Sequence, residues 1–350
     1  MIEKILVLGG KGGVGKSTIS AATAVALSDL IPEKKLLLIS FDMAHNLSDM
    51  FEKPIGDKLT KLKANLWGIE PDPNKYAEEY TAEFAGKMRK LMKKMPIVGN
   101  LPQIKEFIDN TFNADSIPIA LKNSMFFQKI LDAEDSIYRD KKADAIDFDI
   151  IVADFPPTGN MVALFEIPED TVKVLLKYSL NVYNSIKGTI RGVTKLATKI
   201  IKPFGNKEDR KALAEEVLEM LQQLEERGER ISELIKNQGS LRLVSIAEKP
   251  SFEEIKRARD LTKKYIKLDG VHINMLIPEY AAKSCNFCHS IRSNQLKYTK
   301  KIEKEFEKLE IWRSNRLEGE PIGLEGLRAL AKEVYGDLTA DKILNPNHGN

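Results

Sequence analysis

Residues 10–17, Gly-Lys-Gly-Gly-Val-Gly-Lys-Ser, lie just after the apolar run Ile5–Leu8 and just before the helix-forming run Ile19–Leu27. They match the pattern G-x-x-x-x-G-K-[S/T], which between a strand and a helix predicts a phosphate-binding loop. The backbone N–H groups are expected to form a concave anion nest, and the following helix adds the positive end of its dipole. The predicted nucleotide-binding residues here are Gly10, Lys11, Gly12, Gly13, Val14, Gly15, Lys16, Ser17 and Thr18.

The two lysines of this loop have different explanations. Lys16 occupies the lysine position of the pattern and is predicted to reach the β- and γ-phosphates, while Ser17 offers its hydroxyl to Mg²⁺. Lys11 is not explained, because a phosphate loop needs one lysine. The alternative for the whole stretch is a glycine-rich turn that matches by chance.

Two aspartates stand at the ends of predicted strands. Asp42 follows the predicted strand Lys35–Phe41, and Asp154 follows Phe148–Ala153. Ligands of open α/β sheets bind at the C-terminal ends of the strands, so both carboxylates are expected beside the phosphates. A hydrolase needs a group that orients water and a carboxylate near Mg²⁺. Asp42 is the candidate for the water and both are candidates for Mg²⁺; the alternative is solvated strand-end residues.

Composition limits the protein class. The chain has 350 residues, 43% of them hydrophobic, and 54 Lys and Arg against 51 Asp and Glu give a net charge of +3. This near balance gives no general case for nucleic-acid binding. Two cysteines exclude a disulfide framework, and we see no apolar run long enough to span a membrane and no secretory signal. We therefore expect a soluble cytoplasmic protein.

Short apolar segments separated by helical stretches predict the fold. Besides the strands named above, Lys4–Leu8, Leu241–Ala247 and Val271–Ile277 are predicted strands, covered on both faces because they lack clean alternation. The pattern predicts an α/β P-loop NTPase with a mostly parallel, doubly wound sheet flanked by helices. The sequence Ser251-Phe-Glu-Glu254 predicts a capping box that opens a helix toward Lys267.

Two spacers are too long for simple crossovers and predict a helical insertion subdomain. The expected organisation is one ATPase domain over 1–338, with a core of 1–75, 146–170 and 240–338, an insertion of 76–145 and 171–239, and a flexible tail at 339–350. The insertions carry apolar helical stripes beside lysine-rich faces. The apolar residues are Phe84, Met88, Leu91, Met92, Met95, Met125, Phe126, Ile186, Ile190 and Val193. Such stripes are more often packed core than binding surface.

Several strings of the chain resemble one family. A second lysine after the leading glycine resembles the "deviant" phosphate loop of a class of dimeric ATPases. More narrowly, Asp42-Met-Ala-His-Asn-Leu-Ser-Asp49 resembles the first switch, D-P-A-H-[NS]-L-S-D, of the arsenite-pump ATPase family. Asp154-Phe-Pro-Pro-Thr-Gly159 is similar to its second switch, D-T-A-P-T-G-H, and Cys285-Asn-Phe-Cys288 with Arg292 and Gln295-Leu-Lys-Tyr298 to its C-x-x-C segment. Met43, Phe155, Pro156 and Asn160 depart from the pattern.

The resemblance implies specific roles for several residues. It implies ATP hydrolysis with Mg²⁺ in a homodimer, in which Lys11 crosses the interface to the partner's nucleotide. Lys11, Lys16 and Asp42 are then the catalytic candidates, and Asn274 is expected to contact adenine. It also implies that Cys285 and Cys288 of two chains share one Zn²⁺, because one C-x-x-C cannot complete a tetrahedral site. An iron–sulfur cluster and inert thiols remain the alternatives for this pair.

The family includes the ATPase that guides tail-anchored membrane proteins. The resemblance therefore implies a homodimer, with a higher oligomer on client binding as a variant, whose helical insertions form a groove for a client's transmembrane helix. Tail-anchored clients and an unidentified membrane receptor are the expected partners, and nucleic acid is not. The alternatives are an arsenite-efflux pump ATPase subunit, which typically has two fused halves and metalloid-binding cysteines, an iron–sulfur scaffold ATPase, and a DNA-partitioning ATPase.

Overall fold

The computed structural model of the protein describes residues 2–42, 46–72, 119–138, 145–161 and 226–346, together with Lys75, Phe165 and Gln223. Of residues 46 and 119–126 it describes the backbone alone. The chain divides into two compact units, one made of Met1–Asp72, Gln128–Phe165 and Ser232–Asn350 and one of Pro73–Phe127 and Glu166–Ile231. Most of the two predicted insertions lies outside the described residues, so the predicted boundaries stay a prediction.

The first unit is built on one sheet. Its eight strands in the described part of the chain are β1 Lys4–Gly10, β2 Leu36–Ser40, β3 Thr60–Lys61, β4 Leu66–Ile69, β5 Ile150–Asp154, β6 Gly239–Ile246, β7 Lys267–Leu276 and β8 Glu310–Asn315. The order across the sheet is β3-β4-β2-β5-β1-β6-β7-β8. Every neighbouring pair is parallel except β3 with β4. The predicted mostly parallel α/β fold is confirmed.

The central strands are apolar along their whole length because both of their faces are covered. Every residue of β2 and β5 is buried. The five strands expected from the sequence are all present, although β1 continues to Gly10 and β7 begins at Lys267. Strands β3, β4 and β8 were not predicted. Strand β4 has four residues and contains a glycine, and β8 mixes charged with apolar positions, so neither has the apolar run of a central strand.

Besides the strands, the described part of the chain contains helices. Their bounds are α1 Lys16–Leu30, α2 Asn46–Met50, α3 Ile119–Glu134, α4 Lys249–Thr262, α5 Glu279–Ser284, α6 Asn286–Glu305, α7 Gly323–Tyr335 and α8 Ala340–Leu344. Residues 226–238 are helical as well. Among the described residues, none of the helices is both long and apolar enough to cross a membrane.

The predicted capping box is wrong. Helix α4 begins at Lys249, two residues before Ser251, and it ends at Thr262, well before Lys267. Pro250 in the first turn starts the helix early, since proline fits a helix where no N–H partner is needed. The Ser251 hydroxyl instead bonds the Ser245 hydroxyl at 2.8 Å and accepts the Ile246 N–H at 3.2 Å.

The predicted flexible tail also differs from the structure. Thr339 caps helix α8, accepting the Lys342 N–H at 3.4 Å. Ile343 is fully buried in the main core, and the buried Arg242 of β6 donates to its carbonyl oxygen. The apolar Ile343 therefore fixes this end of the chain against the core, as far as Pro346; residues 347–350 lie outside the described part.

The main core fixes the start of α1. Buried side chains of α1 pack with those of β1, β2, β5 and α7, and the members include Leu6, Ile19, Val25, Leu38 and Leu327. Burying each such side chain contributes about 1.5–3 kcal/mol. Because most residues of α1 from Lys16 to Ser28 are buried, the core sets the position of its first turn, where the phosphate loop ends.

Candidate nucleotide site

The phosphate loop connects β1 to α1. Gly15, the residue before α1, has a left-handed backbone with φ of 86°, which glycine adopts without strain. A Cβ atom at Gly15 would lie 2.4 Å from Asn274 Nδ2, so the close approach also requires glycine. At the start of the loop, a Cβ atom on Gly10 would lie 2.2 Å from the Val244 carbonyl oxygen of β6. The glycines therefore allow the loop to fold against the sheet edge.

The two lysines of the loop lie in different surroundings. Lys16 is buried, and its Nζ donates to the Lys11 carbonyl oxygen at 3.3 Å, across its own loop. The Lys11 side chain is exposed. A buried ammonium group inside the loop is suited to binding phosphate oxygens, whereas an exposed one is accessible to another molecule.

Asp154 is the last residue of β5 and is fully buried. It lies in register with Leu8 of β1 and Ser40 of β2, so the two neighbouring strands bring it to the start of the phosphate loop. The Ser40 hydroxyl donates to Asp154 Oδ2 at 3.0 Å. Burial raises the pKa of Asp154 to about 6, although the Ser17 hydroxyl, the Lys16 charge and Ser40 act in the opposite direction.

The second oxygen of this carboxylate indicates a cation site. Asp154 Oδ1 is buried and accepts no hydrogen bond from the described residues, and the Ser17 hydroxyl lies close enough to lower the pKa of Asp154. Mg²⁺ in nucleotide sites is held by one or two protein oxygens together with phosphates and water. An unpartnered carboxylate oxygen beside a hydroxyl therefore fits Mg²⁺. The predicted ligands Ser17 and Asp154 are brought together.

Asp42 follows β2 and is half-buried, and its N–H donates to the Ser40 hydroxyl at 3.4 Å. Ser40 thus contacts both predicted site aspartates. Residues 43–45 of the predicted first switch lie outside the described part, and the switch continues as helix α2. The last residue of the first switch, Asp49, lines the same pocket as Asp42.

The nucleotide pocket has a volume of about 430 Å³. Its lining residues come from the phosphate loop and the first turn of α1, from the first switch with Met50, from the end of β7, and from the loop between β8 and α7. They are Gly13, Gly15, Lys16, Ser17, Thr18, Asp42, Asp49, Met50, Met275, Glu320, Pro321 and Ile322. The sequence did not predict Asp49, Met50 or Met275 as contacts, and it assigned no base contact to residues 320–322 because 318–322 depart from the family's usual G-E-[IV]-R. Residues 320–322 follow β8, a strand that the sequence did not predict, at the same edge of the sheet as the phosphate loop.

Asn274 contacts the phosphate loop, and its neighbour Met275 lines the pocket. Asn274 Nδ2 donates to the Val14 carbonyl oxygen at 3.0 Å, and its Oδ1 accepts the Met275 N–H at 2.9 Å and the Ser314 hydroxyl at 2.8 Å. The amide group of Asn274 is thereby used within the protein. A contact of Asn274 with adenine stays a prediction.

Glu70 is a further residue that sequence reasoning missed. It directly follows β4 and is buried, with its Oε1 accepting the Leu47 N–H at 2.8 Å and its Oε2 accepting the Ser48 hydroxyl at 3.3 Å. Both donors belong to helix α2 of the first switch. The signal was a carboxylate at a strand end, the same signal that identified Asp42 and Asp154, but β4 itself was not predicted.

The second residue of the second switch is a packed aromatic side chain. Phe155 is fully buried, and its ring lies 5.2 Å from the Phe41 ring and 5.4 Å from the Phe165 ring. Aromatic pairs at these distances are stabilising in edge-to-face and stacked geometries. The apolar cluster beside Asp154 is consistent with the burial that raises the pKa of this carboxyl.

Cys285 and Cys288 lie together at the start of α6. Cys285 is the N-cap residue, and its Sγ accepts the Cys288 N–H at 3.3 Å. This backbone hydrogen bond lowers the pKa of Cys285, and the hydrogen bond with the Cys285 side chain raises the pKa of Cys288. Among the described residues, no three His, Cys, Asp or Glu side chains are grouped closely enough to hold a metal. A Zn²⁺ site shared between the cysteine pairs of two chains stays a prediction.

The predicted client groove is not part of the described region. Phe84, Met88, Leu91, Met92, Met95, Ile186, Ile190 and Val193 lie outside the described residues, as do the side chains of Met125 and Phe126. Their contribution to a groove stays a prediction.

The fold and the site together define a class of protein. A parallel sheet, a glycine loop between β1 and α1, and a buried aspartate at the end of a neighbouring strand are the features of a P-loop nucleoside triphosphatase. The sequence model of the family described as anion-transporting ATPase matches residues 3–336. The chain belongs to this family, and it is an ATP-hydrolysing enzyme.

Individual relatives carry two kinds of name. The putative arsenical pump-driving ATPase 1 of Aquifex aeolicus is 29% identical over 355 residues, covering 98% of this chain and 81% of that protein. ATPase get3 of Aspergillus niger is 29% identical over 353 residues, covering 97% of this chain and 91% of its own length. ATPase get3 of Aspergillus terreus is 30% identical over 354 residues with the same coverage, 97% and 91%. The chain is similar to both kinds over almost its full length.

Proposed function

We propose that the protein is a homodimeric cytoplasmic ATPase that binds the transmembrane segments of tail-anchored membrane proteins and delivers them to a membrane receptor. The observation that carries the proposal is the position of the predicted first switch, because Asp42 and Asp49 at its two ends both line the nucleotide pocket. A segment attached to the pocket at both ends can change its path when the γ-phosphate is bound or lost. Such a change would couple hydrolysis to client binding and release.

The proposed hydrolysis uses residues of the pocket together with the buried Asp154 beside it. The loop N–H groups and Lys16 would bind the phosphates, and Ser17 and Asp154 would hold Mg²⁺, which would neutralise charge on the β- and γ-phosphates. Asp42 orients the attacking water. Hydrolysis in this arrangement depends on positioning and charge neutralisation, with little covalent chemistry for the protein to perform.

The dimer gives Lys11 a function that Lys16 cannot have. The exposed Lys11 of one chain would reach the nucleotide of a second copy and neutralise charge in trans, as an arginine finger does. Lys11→Ala should therefore keep Mg²⁺·ATP binding but lower turnover by about 10²-fold or more. Lys58→Ala, which removes an exposed lysine that does not line the pocket, is the matched control. Unchanged turnover of Lys11→Ala would contradict the trans contact.

The cysteine pair would hold the same dimer together. Cys285 and Cys288 from two chains would supply four thiolates to one Zn²⁺, the ligand set of a closed structural site. Zinc at a stoichiometry of about one per two chains is expected. Iron with visible absorbance would instead support the iron–sulfur scaffold.

Co-expression with a client tests the targeting proposal. The chain is produced together with a tail-anchored protein, and in parallel with the same protein lacking its C-terminal transmembrane segment. A soluble complex with the intact client alone is expected, and deletion of residues 84–126 should abolish it while ATP binding persists. Recovery of empty ATPase from both cultures would contradict the proposal.

The pump alternative has its own outcome in this test. The chain contains one phosphate loop and two cysteines in all, separated by two residues. This leaves no further thiol in the chain to bind a metalloid. ATPase activity that rises on addition of arsenite, without client capture, would nevertheless favour the pump.

A further inference from the structure

Met275 has an unusual backbone at the wall of the nucleotide pocket. Its φ is 59°, in the left-handed region that side-chain-bearing residues other than Asn and Asp rarely adopt. The residue lies near the end of β7, where the pairing with β8 shifts register between Ile273 and Leu276. A strained residue persists only when its surroundings hold it, and such residues cluster at functional sites.

Two side chains hold Met275 in this conformation. Asn274 Oδ1 accepts the Met275 N–H at 2.9 Å, and Gln295 Nε2 donates to the Met275 carbonyl oxygen at 3.0 Å. The same Gln295 amide accepts the Ile277 N–H through Oε1 at 2.8 Å, and Arg292 donates to the Ile277 carbonyl oxygen. Gln295 belongs to α6 and is 7% exposed. It therefore fixes the backbone on both sides of Leu276.

The position of Met275 affects the phosphate loop. Met275 Cε lies 3.3 Å from the place where a Cβ atom of Gly15 would stand, so the thioether methyl packs against the loop. The preceding Asn274 donates to the Val14 carbonyl oxygen. A change of backbone at Met275 would consequently move both one wall of the pocket and a hydrogen bond that supports the loop.

We infer that Gln295 is a positioning residue for the nucleotide: it holds Met275 in the left-handed conformation and thereby sets the shape of the pocket before the nucleotide binds. This inference rests on the proposal that the 430 Å³ pocket holds the nucleotide. Gln295 acts through Met275 and does not line the pocket itself. Its loss should therefore weaken nucleotide binding more than it slows the chemical step.

The first measurement is the affinity of Gln295→Ala for Mg²⁺·ATP by isothermal titration calorimetry, together with kcat and KM. We expect Kd and KM to rise by about tenfold, equal to about 1.4 kcal/mol, with kcat at saturating ATP within about threefold of the original value. Gln295→Glu serves as the conservative variant, because its carboxylate can accept the Ile277 N–H but cannot donate to the Met275 carbonyl. It should bind ATP as weakly as Gln295→Ala.

A rescue experiment separates this role from a general loss of structure. Glycine adopts the left-handed conformation without strain, so in a Met275→Gly background the conformation no longer depends on Gln295. In the Met275→Gly background, Gln295→Ala should change the Kd for Mg²⁺·ATP by less than about twofold. The effects of the two substitutions are then non-additive in a double-mutant cycle. Thr299→Val is the control: Thr299 is buried on the same helix, and its hydroxyl has no hydrogen-bond partner among the described residues.

The outcomes distinguish this inference from the proposed function. If Gln295→Ala has the same Kd for Mg²⁺·ATP as the unmodified protein, this inference is overturned and the proposed function is not. The same holds if Gln295→Ala weakens ATP binding about tenfold both in the original protein and in the Met275→Gly background. A comparable loss in Thr299→Val also overturns it, because the effect would then belong to the helix as a whole. If the unmodified protein binds no Mg²⁺·ATP, the proposed occupant of the pocket is wrong and this inference falls with it.

Discussion

Asp154→Asn should stabilise the ligand-free protein while abolishing hydrolysis. Asp154 is fully buried, and its pKa is raised from 3.8 to about 6. Since each pKa unit corresponds to about 1.36 kcal/mol, the ionised carboxylate costs the folded protein about 3 kcal/mol at neutral pH. Asparagine has nearly the same shape, can accept the Ser40 hydroxyl and carries no charge. The variant should therefore gain up to about 3 kcal/mol in free energy of unfolding.

The gain depends on pH in a defined direction. Between pH 3.8 and about 6 the folded protein keeps the Asp154 proton while the unfolded chain releases it, so the stability of the unmodified protein falls as pH rises through this window. The difference between the variant and the unmodified protein should be largest above pH 6 and shrink toward zero below pH 4. Mg²⁺·ATP should stabilise the unmodified protein more than the variant, because the cation compensates the buried charge.

Urea unfolding followed by tryptophan fluorescence measures the effect. The two tryptophans of the chain, Trp67 and Trp312, lie in β4 and β8 of the same sheet. Asp149→Asn is the matched control, since the Asp149 carboxylate is partly exposed and accepts the Lys35 N–H at 2.7 Å, and its replacement should not stabilise the protein. Equal unfolding midpoints for Asp154→Asn and the unmodified protein at pH 7.5, or a gain that persists at pH 4, would refute the reasoning.

Three further predictions concern other parts of the first unit. Glu70→Ala removes the acceptor of the Leu47 N–H and should lower kcat by about 10- to 100-fold through misplacement of the first switch, with a smaller effect on Mg²⁺·ATP binding, as steady-state kinetics can measure. Truncation after residue 339 removes the buried Ile343 and the acceptor of Arg242 and should cost about 2–5 kcal/mol in urea unfolding. Cys285→Ser should lower the zinc content and weaken the dimer, as elemental analysis and light scattering can measure.

A control or a contradicting outcome can be stated for each of these three predictions. Asn65→Ala is the control for Glu70, because Asn65 precedes the same strand β4 and its side chain donates to the Ser28, Ile31 and Lys34 carbonyls, away from the switch. If Asn65→Ala lowers kcat as much as Glu70→Ala does, the loss of activity in Glu70→Ala comes from a less stable fold and not from a misplaced first switch. A truncated chain of unchanged stability would contradict the docking of α8, and zinc retained at full stoichiometry would contradict the shared site.

The sequence predicted the parts of the site that depend on local pattern. The phosphate loop and the strand-end position of Asp154 follow from residues close together in the chain, and both are present in the expected strand–loop–helix setting. The five apolar strands were predicted for the same reason. Their order across the sheet, which places β7 and β8 at one end, depends on contacts between distant segments and was not predicted.

The remainder of the pocket depends on such distant contacts. Residues 320–322 and Met50 reach the phosphate loop only because the sheet and α2 are assembled. Asn274 was assigned to adenine from the family resemblance, but the direction of its side chain is set by the left-handed Met275 and by Ser314 on the next strand. A single sequence contains no local signal for such a backbone conformation at a methionine.

Helix α6 connects two sites that the sequence treats as separate. Cys285 caps its first turn and Gln295 lies ten residues further along, about 15 Å at the rise of an α-helix. Because Gln295 holds Met275 at the pocket, a change at one end of α6 could be felt at the other. Thermodynamic reciprocity requires that any factor by which ATP changes the affinity of the cysteine pair for its ligand is matched by an equal change in ATP affinity. A difference in the reactivity of the Cys285 thiol with and without Mg²⁺·ATP would be the sign of such a coupling.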